Sequence, residues 1–262
     1  MKSEPDWQHG LAGRVLVTGA SGLLGRELSL RIARPGVRLS LWGRNPFRLT
    51  EVATQCREAG AEVEICALDI SNPHAAISAL CVQDDADPFS LALLVAGLGD
   101  TLSPGAVVEG PAQVIRLAQT NFVAPAAMAS FLAERMVQRG KGRIGLVGTA
   151  AAAHSLPFAA SYSGSKAGLA RFADALRLAV RNSGVSVTLI SPGFFGPGGQ
   201  DDEVRSRPGE IAASVVAEQM IAAVVRGKPE LVVPRRFLAL RWFDRLLPRP
   251  LRDRLLLSLR LP

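Results

Sequence analysis

The sequence predicts a three-layer α/β fold, a doubly wound parallel sheet of about seven strands in a single domain. Three observations predict it. Short apolar runs alternate with longer stretches of helical periodicity, the pattern of repeated βαβ units. Several of the runs are continuously apolar, LALLVAG at 91–97 and VSVTLIS at 185–191 among them, as strands buried on both faces require. The chain has 262 residues and is 48% hydrophobic, enough for one sizeable core at a length typical of single α/β domains.

The elements follow in order. RVLVTG (14–19) reads as the first strand, running into a turn and a helix near 22–34. RLSLWGR (38–44) and AEVEICALD (61–69) read as the next two strands, with a helix near 46–60 between them. DDADP (84–88) reads as a turn before the strand at 91–97. A long helical pattern near 111–139 leads to GRIGLVGT (142–149), and another near 162–183 leads to the strand at 185–191. A helix near 210–226 and the strand ELVVP (230–234) close the alternation. Right-handed crossovers then place helices on both faces of the sheet.

Composition excludes several classes. The three cysteines, Cys56, Cys66 and Cys81, form no CxxC or Cys/His ligand spacing, so reduced thiols and no metal are expected. MKSEPDWQHG lacks an apolar signal core, and no run approaches the roughly 18 apolar residues of a membrane span. A cytoplasmic protein is expected. The net charge of +7 is unevenly placed. Residues 235–262 hold eight Arg against two Asp, which is +6, and leave +1 for residues 1–234. The body is therefore nearly neutral, and no nucleic-acid partner is expected.

The first strand ends in TGASGLLG, with Gly19, Gly22 and Gly25 three apart and Ser21 and Leu24 between them. A tight strand-to-helix turn needs residues without Cβ, a pyrophosphate must approach the backbone closely, and the helix N-terminus offers unpaired N–H groups. The context predicts a dinucleotide site. The second strand ends at Gly43-Arg44 with no acidic residue at 42–44. A carboxylate there would favour NAD, and an Arg can hold a 2′-phosphate, so NADP(H) is expected over NAD(H), with Arg44 as its contact. Asp69 has two readings, an acceptor for the adenine amino group or a helix cap within DISNP.

YSGSK (162–166) holds the chain's one tyrosine, with a lysine four residues later. Residues i and i+4 share a helix face. A neighbouring ammonium stabilises a phenolate, whose ordinary pKa near 10 would have to fall by about three units for work near neutral pH. Tyr162 could then exchange a proton with a substrate oxygen.

At these residues the chain resembles the short-chain dehydrogenase/reductase family, over about residues 10–234. The matching stretches are TGASGLLG, Asp69-Ile70, Ala96-Gly97, Asn121 in QTNFVAPA, YSGSK, and Ser191-Pro192-Gly193. The resemblance implies a compact Rossmann-fold NAD(P)(H) oxidoreductase, a homodimer or homotetramer, acting on a small-molecule carbonyl or alcohol. It implies Tyr162 as acid/base, and Lys166 as the residue that holds the nicotinamide ribose and lowers the Tyr pKa. It implies Asn121 as the residue positioning a water beyond Lys166. It places Ile70, Ala96, Gly97, Pro192, Gly193 and Phe195 along the cofactor.

There are departures from the family pattern. The position of the active-site Ser, thirteen before the Tyr, is Thr149, and Ser155 is a fallback. The usual Asn-Asn-Ala-Gly is Leu94-Val95-Ala96-Gly97. The turn spacing GxxGxxG is that of the longer, sugar-nucleotide branch. Two other readings follow from these: a non-enzymatic dinucleotide sensor or scaffold, and a sugar-nucleotide epimerase or dehydratase. Residues after Gly193 suit a substrate lid, with Phe158, Phe194 and Phe195 as an apolar wall. The two-part organisation is a catalytic domain, 1–234, and a basic amphipathic tail, 235–262. The tail, with Trp242 and Phe243, either packs on the protein or lies peripherally on an anionic membrane.

Overall fold

The structure, a computed structural model, describes residues 13–197, 210–238 and 246–258. Seven parallel strands run in the order β3-β2-β1-β4-β5-β6-β9. They are β1 (Gly13–Thr18), β2 (Val37–Gly43), β3 (Glu62–Ala67), β4 (Phe89–Leu94), β5 (Gly142–Val147), β6 (Val185–Pro192) and β9 (Glu230–Val233). Two short strands, β7 (Phe195–Gly196) and β8 (Ile211–Ala212), pair with each other apart from the main sheet. All seven strands expected from the sequence are present.

Alternating side chains along the strands feed two cores. Val15 and Val17 point to one face, where α1 (Leu23–Ile32), α2 (Pro46–Glu58) and α7 (Ala213–Val225) pack with Leu28, Leu49 and Met220. Leu16 points to the other, with Leu80 of α3 (Pro73–Ala86), Met128 and Leu132 of α5 (Ala124–Gln138), and Leu169 of α6 (Ala160–Ala179). This is the three-layer Rossmann arrangement the alternation predicts. Two helices start as Asn-Pro dictates. The Asn45 side chain accepts from Arg48 N and that of Asn72 from Ala75 N, each with Pro at the first helical position.

The stretch 84–88 departs from the expected turn. α3 runs through Ala86, and Asp84 on its last turn is buried. Its carboxylate accepts from Phe89 N at 2.8 Å and pairs with Arg139 at 2.8 Å and Arg135 at 3.4 Å. The partners that make an acidic helix end tolerable sit on α5 (Arg135) and at its C-cap (Arg139), more than 50 residues away.

The expected helix at 111–139 is broken. α4 (Pro111–Ala118) passes into a π-turn (Gln119–Val123) before α5. Pro125 has no N–H to give the carbonyl of Asn121, and Ala124 N bonds to Gln119 O in the wider π pattern. The break falls at Asn121.

Candidate active site

The strand order reverses between β1 and β4, and a cleft opens at the carboxyl ends of those strands, where open α/β sheets bind ligands. Its volume is about 400 Å³. Gly19 takes φ +69°, in the left-handed region, and Gly22 N bonds back to Gly19 O at 2.9 Å. A Cβ at Gly25 would strike the carbonyl of Gly19, so α1 approaches the turn only with glycine there. Gly22 is exposed and precedes α1 with no side-chain cap. Ser21, Leu24 and Gly25 line the same wall.

Gly43 ends β2 against this turn; a Cβ there would stand 3.0 Å from Ser21 Oγ. Arg44 and Arg48 both line the cleft and are both exposed. Arg48 was not among the sequence candidates, although it stands four residues beyond Arg44 at the start of α2. Asp69 and Ile70 form the opposite rim. Asp69 Oδ1 accepts from Ser71 N at 2.9 Å, while the cap of α3 falls to Asn72. The structure thus gives Asp69 a local turn and a place on the cleft rim.

The end of β4, where the family has two asparagines, is held differently. Thr18 Oγ1 accepts from Val95 N at 3.0 Å and from Ala96 N at 3.1 Å. Thr18 is buried at the end of β1. A hydroxyl of the neighbouring strand therefore takes two backbone donors at the rim formed by Val95, Ala96 and Gly97. Thr18→Val keeps the shape and orphans both donors. It is expected to lower stability by about 2 kcal/mol, read from denaturant unfolding, and to weaken dinucleotide binding.

Gly97 joins this cleft to the Tyr–Lys helix. A Cβ at Gly97 would stand 3.2 Å from both Lys166 Nζ and Asn121 Oδ1. Asn121 is fully buried in the π-turn. Its Oδ1 accepts from Leu98 N at 2.7 Å, and its Nδ2 donates to Leu98 O at 2.8 Å. Lys166 is buried on α6 and donates from Nζ to Val147 O at 2.8 Å. Burial pulls its pKa down from 10.5 to about 8.

Tyr162 and Thr149 hydrogen-bond through their hydroxyls, and Thr149 Oγ1 also lies 3.4 Å from Pro192 O. Burial raises the Tyr162 pKa, and the bond to Thr149 pulls the other way. The protein without cofactor therefore keeps a protonated phenol at neutral pH, and Lys166 is directed to Val147 O. Thr149 occupies the position expected of it, at the end of β5. Ser155 lies in a groove beneath α8 (Arg249–Ser258) instead.

Glu109 is another residue that sequence reasoning missed. Its Oε2 accepts from Ser161 N at 2.7 Å, capping α6, whose own N-cap Ala159 has no side-chain oxygen. No local signal links residues 52 apart.

Phe195 lines the cleft from β7, held by Phe195–Ile211 pairing and by Ile211 N bonding to Phe194 O. Pro192 is buried at the end of β6, and Gly193 N donates to Val233 O at 2.7 Å. These two set the direction of the chain into Phe195. Phe194 is half exposed, and Phe158 is tied through its carbonyl to Leu102 N. Of the three phenylalanines, Phe195 lines the cleft. The rest of the expected lid, 198–209, lies outside the described residues.

With that geometry in view, residues 13–207 match the family model described as short chain dehydrogenase. The chain belongs to the short-chain dehydrogenase family. It is an oxidoreductase of that family, with the family's NAD(P) site. A Myxococcus xanthus protein named an uncharacterized oxidoreductase is 33% identical over 240 residues, covering 91% of this chain and 94% of that one. A short-chain dehydrogenase from Sphingobium yanoikuyae, solved in complex with NADPH, superposes with TM-score 0.76 at 24% identity. That match covers 95% of this chain and 96% of the other. A metagenomic short-chain oxidoreductase solved with NADP superposes with TM-score 0.72 at 25% identity, over 86% of this chain and 98% of that one.

Lys166 carries its own prediction. As a buried ammonium with a folded pKa of about 8 against 10.5 unfolded, it lowers stability wherever the unfolded chain holds the proton more tightly. That penalty is full below pH 8 and is relieved as pH rises toward 10.5. Its size is about 3 kcal/mol, and the bond to Val147 O offsets about 1 kcal/mol. Lys166→Met is expected to be more stable than wild type by about 2 kcal/mol at pH 7. The gap should close as pH rises from 8 to 10 in paired thermal melts.

Proposed function

We propose that this protein is an NADP(H)-preferring reductase that interconverts a ketone and a secondary alcohol. The observation that supports the reading is Gly97, which lines a cleft presenting Arg44 and Arg48 and stands against Lys166 and Asn121, with Tyr162 four residues before Lys166 on α6 and bonded to Thr149.

The cleft suits a dinucleotide. The glycine turn leaves the first N–H groups of α1 open to a pyrophosphate. The two guanidiniums suit a 2′-phosphate beyond it. Lys166 and Asn121 suit the nicotinamide ribose end. The bound cofactor supplies or accepts the hydride. Tyr162, protonated at neutral pH, donates its proton to the carbonyl oxygen as negative charge develops there, and reclaims it in the oxidative direction. Thr149 donates a hydrogen bond to the same oxygen and fixes its position between the two hydroxyls. The methyl of Thr149 narrows the site relative to a serine. Lys166, charged through most of the neutral range, stabilises the phenolate left on Tyr162.

The support for NADP(H) is the pair of arginines with no carboxylate between Trp42 and Arg44, together with the NADP of the metagenomic relative. We propose residues 1–234 as the catalytic unit. The exposed Val114 and Ile115 of α4 suit a homodimer contact. The test is NADPH oxidation over a panel of ketones, with NADPH and NADH affinities measured by fluorescence. Turnover that requires Tyr162, with tighter binding of NADPH, supports the reading. Tight binding with no turnover across the panel favours a dinucleotide sensor.

A further inference from the structure

α8 packs on the protein through Leu256, its one buried residue. In α8, Leu256 is buried in a groove it shares with Asp253 and Leu257 and with Pro157, Ala160, Ser163 and Ala167. This groove runs along the N-terminal half of α6. Leu251 and Leu255, a turn apart on α8, stay 59% and 52% exposed, and Leu246, three residues before the helix, is 77% exposed. Arg249 and Arg254 of α8 are both exposed, and among the described residues neither forms an ion pair. Arg252, by contrast, is paired with Asp253 at 3.0 Å.

A helix with exposed leucines and unpaired arginines has two physical needs, removal of apolar surface from water and an anionic neighbour. The rest of the chain does not supply the second: residues 1–234 carry a net charge of +1, and no carboxylate among the described residues pairs with Arg249 or Arg254. A second copy meets it no better, since it would bring one +6 tail against another. An anionic lipid surface meets both. Leucines enter the acyl boundary while arginines sit at the headgroups. No helix among the described residues is long and apolar enough to cross a membrane, so the contact is peripheral.

We propose that α8, through Leu251, Leu255, Arg249 and Arg254, docks the protein on an anionic membrane surface. Docking does not depend on the catalytic reading.

The test is co-sedimentation of the full-length protein with two kinds of vesicle, phosphatidylcholine alone and phosphatidylcholine with phosphatidylglycerol, at low and high salt. Expected is binding to the anionic vesicles at least roughly tenfold tighter than to the neutral ones, weakened by salt. Arg249→Glu with Arg254→Glu should remove that preference. Leu251→Ser with Leu255→Ser should weaken binding several-fold and keep its salt dependence. Both variants should retain wild-type circular dichroism and NADPH affinity. Equal binding to both vesicles, or none to either, overturns the proposal. So does duplex DNA binding without vesicle binding, or variants that shift only the mass in sedimentation velocity, which would assign the face to a second copy.

Discussion

Tyr162→Phe is expected to lower kcat for ketone reduction by about three orders of magnitude and to leave the dissociation constant for NADPH within a few-fold of wild type. The phenol hydroxyl is the atom removed. The ring remains to fill its place on α6, and Tyr162 does not line the dinucleotide cleft. Loss of turnover without loss of binding therefore isolates proton transfer. The chain offers a direct second readout, because Tyr162 is its only tyrosine. Absorbance at phenolate wavelengths during an alkaline titration reports this group alone. In the cofactor-free protein the midpoint is expected above 10, since burial raises it. Thr149→Val should raise it further by removing the one bond that opposes burial. Reduction should hold steady through neutral pH and fall on the alkaline side, while alcohol oxidation rises with pH. A Tyr162→Phe enzyme with normal turnover would refute the assignment.

Arg44→Ala is expected to weaken NADPH by about 10- to 100-fold and NADH by much less, the loss of one or two charge-assisted hydrogen bonds to a phosphate. Arg48 lines the same cleft, so part of the attraction survives the single change. The double variant Arg44→Ala, Arg48→Ala should bring the two affinities close together. Rising salt should weaken NADPH more than NADH in the wild type, because these side chains are exposed and screened. Equal losses for both cofactors in Arg44→Ala would remove the basis of the preference.

The sheet was legible in the sequence because its strands are buried on both faces and their apolar runs stand out from the helical periodicity around them. The glycine turn and the Tyr–Lys pair were legible because each is one short segment with a local geometric reason. What escaped depends on distant partners. α3 was hidden by an acidic end that only Arg135 and Arg139 make acceptable. The π-turn at Asn121 lay inside a pattern of helical period, with Pro125 its sole clue. Thr18 could not be recognised as the holder of Val95 and Ala96, since a threonine ending a strand has no local mark of that role. Trp242 and Phe243, which suggested a membrane-facing tail, lie outside the described residues. Within the tail, α8 buries Leu256 and leaves Leu251 and Leu255 exposed.

The burial of Lys166 with no acid paired to it among the described residues has a consequence for how the protein meets its cofactor. Near pH 8 the free protein holds only part of a proton at this site. With Lys166 in the ribose-holding role proposed above, hydroxyl acceptors brought to Nζ restore the missing fraction, so association draws protons from the solvent. Affinity then declines as pH climbs past 8, and the heat of binding varies with the ionisation enthalpy of the buffer. The protein would thus respond to acidity at the binding step, before any chemistry begins.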